Sequence, residues 1–236
     1  SIIYIFTYFN KLSAIFNHAI RYYGLQINPA QKAGNMGVEE KKEMLFWTKD
    51  EYTKFSEAMM DKPLSYYAFE MLYWCGIREG ELLALTPADF NFDRGTVSIN
   101  KSYQRINKQD VITTPKTPKT IRVIQMPKFL CDEMQDYFKM FYSLDSDSRI
   151  FPISKNYLHR EMARGSKATG VKRIRIHDLR HSHVSLLIDM GFTALAIADR
   201  VGHESIDITF RYAHLFPTRQ IEMADKLDMM RSEKGA

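Results

Sequence analysis

Sulfur ligands are scarce in this chain. Its 236 residues include two cysteines, Cys75 and Cys131, with no metal-type spacing between them and nothing of a secreted disulfide scaffold. That scarcity reads as a reducing, cytoplasmic setting. An uninterrupted apolar run of membrane-spanning length is also missing. The opening SIIYIFTYFNKLSAIFNHAI is apolar, but Asn10, Lys11, Asn17 and His18 break it too soon for a span, and no cationic region precedes it as in a leader. No membrane partner is expected. The chain begins at Ser rather than Met, which reads as a piece of a longer protein. Internal repeats and low-complexity segments are absent. A strong excess of one charge is absent too: 33 Lys and Arg face 28 Asp and Glu, a net of +5, which names no partner by itself. What is present is apolar substance. Hydrophobic residues make up 45% of the chain and aromatics 13%, enough for a sizeable core and too much for a disordered tail.

Periodicity organises that substance. Leu12, Ile15, Phe16, Ala19, Ile20 and Tyr23 fall at helical spacing within 12–25. One amphipathic helix has no core of its own, so 1–30 is expected to be the end of a helical module lying mostly upstream. Proline, two glycines and mixed charges then predict a linker, taken as 31–46. Thr48 opens a second module with a capping box to Glu51. Helices are expected at about 48–60, 64–76 and 79–86. The period then changes to that of strands at 95–100 and 120–127, with a long polar stretch between. Helices resume at 127–142 and continue, two of them beginning near Asp178 and Thr193 and ending at Gly191 and Gly202. The fold class is mainly α with a small antiparallel β-sheet (α+β), with the second module at 47–216 and a tail helix at 217–236.

The placement of charge says more than its sum. Residues 101–128 hold seven cations and one acid, and 155–183 hold eight cations and two acids. They read either as two solvated surfaces or as one phosphate-binding surface built from both segments, with Lys101, Arg105, Lys119, Arg122, Lys172, Arg173 and Arg175 as the DNA-facing cations in the second case. Aromatic interleaving is weak there, so duplex backbone rather than stacked single strands is the expected ligand.

The stretch VKRIRIHDLRHSHVSLL, 171–187, concentrates cations and imidazoles where an apolar helix begins. His177 and Arg180 share a face, and a helix N-terminus with an arginine fork suits a phosphate. His177 and His181 also stand four apart, as in a zinc helix. Asp178 stands where that motif has Glu, no further ligand follows at the right spacing, and the nearby cations oppose a dication; no metal is expected. Elsewhere, CGIREGELLAL carries Arg78 between two glycines, TPKTPKTIRVIQMP carries Lys116 before a strand, and DRVGHESIDITFRYAHL carries His203 and then Tyr212.

Taken in order, GIREGELLAL, PKT, HDLRHSH, VGH and YAH resemble the tyrosine recombinase, or phage integrase, family, and among its members the integrases of conjugative transposons and phages. The resemblance covers about 45–216, with 1–30 similar to the last part of that family's core-binding domain. It implies a site-specific DNA recombinase that cuts and rejoins DNA through a 3′-phosphotyrosine during integration and excision of a mobile element. Arg78 and Arg180 would clamp the scissile phosphate, Tyr212 would attack it, and His177 would take the phenolic proton. His203 would donate a hydrogen bond to the phosphate. Lys116 would protonate the leaving 5′ oxygen, although Lys119 sits in the same Pro-Lys-Thr repeat. His181, His183 and His214 are expected to be supporting residues. The phosphotyrosine conserves the bond energy, so no cofactor is implied. The implied partners are double-stranded attachment-site DNA, a homotetramer on that DNA, and an excision factor. The tail 217–230, with Ile221, Ala224, Leu227 and Met230 in a narrow stripe, would pack on its own core or on a neighbouring protomer. Alternatives are a type IB topoisomerase-like relaxing enzyme and a catalytically silent DNA-binding module.

Overall fold

The computed structural model describes residues 2–34, 44–114, 120–143, 145–203, 205, 209 and 212. Chain contacts divide it into two units, Ser1–Glu43 and Met44–Ala236. Lys116, Lys119 and the predicted tail helix lie outside the described residues.

The first unit is a long helix α1 (Ile2–Tyr23) and a short α2 (Pro29–Ala33). Asn28 joins them. Its Oδ1 accepts from the Ala30 and Gln31 amides, and its Nδ2 donates to Asn17 Oδ1 at 2.8 Å and to the Ser13 carbonyl at 3.1 Å. The N-cap of one helix thereby fixes the angle to the other. Of the described side chains of α1, Tyr8, Leu12, Ile15, Tyr22 and Tyr23 are exposed, while Phe16 and Ala19 are half-buried.

In the second unit α3 (Lys49–Glu57) starts where the capping box predicts. Thr48 Oγ1 accepts from the Glu51 amide, and Glu51 returns a carboxylate oxygen to the Thr48 amide at 2.8 Å. Next comes α4 (Pro63–Cys75), read from PLSYYAFEMLYWC. Its apolar residues leave no polar face, as befits a helix surrounded by protein, and Tyr67 through Tyr73 are buried. It packs against α6 (Lys128–Lys139) and α8 (Asp178–Asp189). The Tyr73 ring stacks on Tyr52 from α3 at 3.6 Å. The helix expected at 79–86 is shorter: α5 is Glu79–Leu82. Thr86 precedes Pro87 and is extended, since the proline ring disfavours helical backbone in the residue before it.

The small sheet is antiparallel, in the order β1 (Phe90–Asn91), β2 (Thr96–Ile99), β5 (Arg122–Gln125), with buried Val97 opposite buried Ile124. The long polar stretch between the expected strands contains a hairpin, β3 (Ser102–Ile106) with β4 (Gln109–Thr113). Its turn residues Asn107 and Lys108 have φ of 50° and 65°, the geometry of a tight two-residue hairpin turn. Neither is glycine, and Ile106 and Ile112 face solvent; the sequence offers little hairpin signal there. Helices α7 (Lys155–Thr169) and α9 (Ala194–Val201) complete the described elements.

Candidate active site

Two glycine turns bring distant arginines together. Gly76 ends α4 in the left-handed region, with φ of 62°, and a Cβ there would lie 2.5 Å from the His183 ring. Both the backbone conformation and the close approach require glycine. The freed Gly76 carbonyl accepts from Arg180 Nη1 at 2.8 Å. Gly202 ends α9 in the same way, with φ of 69°, and its carbonyl accepts from Arg78 Nη2 at 3.2 Å. A Cβ on Gly202 would come within 3.0 Å of the Arg122 side chain.

Glu81 organises the guanidinium side of the site. Its Oε1 accepts from Arg78 Nη1 at 2.8 Å, and its Oε2 accepts from the Arg78 amide and from Arg122 Nη2, both at 2.9 Å. Arg122 also donates to the Arg200 and Thr120 carbonyls. Burial pushes the Glu81 carboxyl up, but Arg122 and Arg78 outweigh it and hold the group below its ordinary value. It is a carboxylate throughout the neutral range.

Arg180 lies deeper. It is 3% exposed, and its Nη2 has no hydrogen-bond partner among the described residues. Burial, then Arg78 and Arg122, pull it down to about 9, so it stays charged at neutral pH. A buried cation with an unused donor is costly unless an anion meets it.

Three imidazoles and a phenol sit around Arg180. His177 caps α8 without a side-chain cap bond and reaches solvent. Partial desolvation and then Arg180 hold it below its ordinary value. His181 lies one turn on, its ring 4.9 Å from that of His177 and nearly perpendicular to it. His203, just past Gly202, meets Thr209 Oγ1 through Nδ1 at 2.8 Å. Burial, then Arg180 and Arg78, push His203 down to about 3. Tyr212 is buried, its hydroxyl in contact with His181 Nδ1. Arg78, His177, Arg180, His203 and Tyr212 are thus brought together from 135 positions of sequence. Among the described residues no group of three metal-type side chains could hold an ion.

The expected DNA-facing cations are distributed differently. Lys101 is folded in, 2.8 Å from Asp89, and the Arg122 side chain, 7% exposed, is paired with Glu81. Arg105 is exposed and loosely paired with Asp110 at 3.6 Å. Lys172 lies 3.2 Å from Glu51, and Arg175 is bound to Asp178 at 2.7 Å while largely exposed. Arg173 lines an open groove with Ser154, Asn156, His159, Arg160 and Ala163. Sequence reasoning passed over Glu81 as the holder of two arginines, and it took His181 as a supporting residue without placing it against Tyr212. The first had a signal: Glu81 stands three residues after Arg78, at capping-box spacing. The second had none beyond Asp178 lying three residues earlier.

The phage integrase family matches residues 46–219. The ICEBs1 integrase of Bacillus subtilis is 34% identical over 233 residues, covering 92% of this chain and 63% of that protein. The integrase of Staphylococcus phage L54a is 26% identical over 181 residues, covering 69% of this chain and 51% of that one. This chain therefore spans between half and two thirds of these relatives. Among solved structures, the Tn1549 transposon integrase in complex with transposon right end DNA superposes with a TM-score of 0.74 at 20% identity, over 94% of this chain and 77% of that one. XerA recombinase gives 0.59 at 20% identity, over 84% and 70%.

Proposed function

This chain belongs to the phage integrase family, and from that premise we propose that it is a tyrosine-type site-specific recombinase acting on the DNA of a mobile element. The observation that carries the reading is the buried guanidinium of Arg180, whose Nη2 is unused, with Tyr212 against the adjacent His181 and Arg78 held by Glu81.

The chemistry follows from the electrostatics. A phosphodiester repels nucleophiles, and its transition state concentrates charge on the nonbridging oxygens. Arg78 and Arg180 are fixed cations for that charge, and His203 is a neutral donor beside them. Tyr212 attacks phosphorus and forms a 3′-phosphotyrosine as the 5′ oxygen leaves. A phenol ionises near pH 10, so making the oxyanion at neutral pH costs about 4 kcal/mol unless a neighbouring base takes the proton. Lys116 supplies the proton to the 5′ oxygen. A 5′ hydroxyl from a second duplex then reverses the step and seals the strand.

In the basic segments Arg105, Lys119, Lys172, Arg173 and Arg175 meet phosphates, whereas Lys101 and Arg122 are taken up by Asp89 and Glu81 and do not. The chain works as a homotetramer on attachment-site DNA, with an excision factor as accessory. Two free cysteines, both buried, accord with a cytoplasmic setting, and no helix among the described residues is long and apolar enough to cross a membrane.

Incubation with nicked suicide duplexes tests the reading. A denaturant-resistant protein–DNA adduct is expected from the native chain and none from Tyr212→Phe. An adduct with the Phe variant rejects the nucleophile. Relaxation of supercoiled plasmid without recombination sites points instead to a topoisomerase.

A further inference from the structure

The Tyr212 hydroxyl meets a different imidazole from the one the family resemblance put forward. Its described partner is Nδ1 of His181. His181 in turn has its other nitrogen, Nε2, 3.8 Å from Asp178 Oδ1. Asp178 is fully buried and rigidly held: Arg175 donates to it from Nη2 at 2.7 Å, from Nε at 3.1 Å and from its backbone amide at 2.8 Å. Asp178 and His181 stand one turn apart on the same helix, so the spacing that aligns them comes from α8 itself. An imidazole against a hydroxyl is the arrangement in which a base serves a nucleophile, and the Asp178 carboxylate, too far for a hydrogen bond, acts on the ring through its charge.

We propose that His181 is the proton acceptor for Tyr212. This rests on the recombinase reading above and names the base within it. As the Tyr212 oxygen forms its bond to phosphorus, the phenolic O–H bond breaks and the proton moves to His181 Nδ1. The bond from phosphorus to the 5′ oxygen breaks, and that oxygen takes its proton from Lys116. In the resealing step the 5′ hydroxyl attacks and gives its proton back to Lys116, the bond from phosphorus to the tyrosine oxygen breaks, and that oxygen takes the proton from His181. No oxidant, metal or further reactant enters.

The environment keeps His181 ready to accept. His177, Asp178, Arg175 and Arg180 surround it. Burial first, then His177, Arg175 and Arg180 against the opposing pull of Asp178, press its ring down to about 4, so at neutral pH the imidazole is uncharged. An arriving phosphate brings negative charge to the same arginines and relieves their effect on the ring, which strengthens the base when it is needed. His177, closer to solvent, remains free to meet the phosphate.

The test measures adduct formation against pH on a pool of nicked suicide duplexes with a randomised core, using the native chain, His181→Ala and His181→Gln. Thermal unfolding and binding to the same pool check that each variant is folded. Both variants are expected to lose about 100-fold in cleavage rate at pH 7, and the deficit should shrink steadily toward pH 10 as the phenol ionises unaided. Should the Ala variant fail to fold, the Gln variant alone decides by the same criterion. A native rate in the folded variants, or a deficit that stays constant across pH, overturns the proton-acceptor role and leaves the recombinase reading standing. No adduct from the native chain on any duplex of the pool overturns the recombinase reading and the role of His181 with it.

Discussion

Residues 101–128 and 155–183 carry nearly the same excess of positive charge, yet the fold uses them differently. In the first segment two of the five described cations are turned inward, Lys101 onto Asp89 and Thr86 and Arg122 onto Glu81, while Lys128 forms only an exposed pair with Asp132 and Arg105 and Lys108 face solvent. In the second, Arg164 and Lys172 have acidic neighbours, but Arg160 and Arg173 line an open groove without an ion pair among the described residues, and Arg180 is buried with a donor to spare. A count of charges along the chain measures what could meet an anion. Only the placement of acids that are distant in sequence decides which cations are already neutralised. Glu81 stands 41 positions from Arg122, and Asp89 stands 12 from Lys101.

The comparison can be broken at several points. Arg122→Ala should do the most damage to stability. It leaves the buried Glu81 carboxylate with Arg78 alone, a loss of the kind that costs about 3–5 kcal/mol, read from denaturant unfolding. An unchanged midpoint together with a weaker salt dependence of DNA binding would place Arg122 with the open-groove cations instead. Arg78→Lys should act on rate rather than on folding. Its charge survives but its fork does not, so cleavage should fall by about 2.7–4 kcal/mol in activation terms while half-site binding changes much less. Equal losses in binding and cleavage would reduce Arg78 to a backbone anchor.

Lys101→Met comes next. It strands the buried Asp89 and should cost about 1.5–3 kcal/mol in unfolding free energy. Arg173→Ala and Arg160→Ala should leave unfolding within about 0.5 kcal/mol of the native chain, yet each should lower the slope of log affinity against log salt by about 0.9 if its side chain meets one phosphate. The smallest effect is expected from Arg105→Ala, whose exposed pair with Asp110 is worth well under about 1 kcal/mol. If Lys101→Met lowers the salt slope while Arg173→Ala does not, the contrast between the segments is reversed.

Local chemistry made some elements readable. Thr48 and Glu51 mark the start of α3 because both halves of a capping box lie within four residues. Gly191 and Gly202 mark helix ends because both adopt positive φ. The β3–β4 hairpin was hidden, since its turn uses Asn107 and Lys108 in place of glycine and its apolar residues face outward. The helix expected to run to 86 stops at Leu82, where Thr86 must be extended ahead of Pro87.

For the candidate site, the sequence by itself determined the chemical inventory: Arg78, His177, Arg180, His203 and Tyr212, in an order and spacing that identify a family. Residue types and local spacing are enough for that, because each motif lies within one turn or one short loop. Tertiary structure decided which imidazole meets the phenol, which arginine stays unpaired, and which cations are already held by acids. Those outcomes depend on side chains that approach across gaps of 31 residues for His181 and Tyr212 and 104 for Arg180 and Gly76. Burial and charge pairing are set by such approaches, and neighbours in sequence carry no record of them.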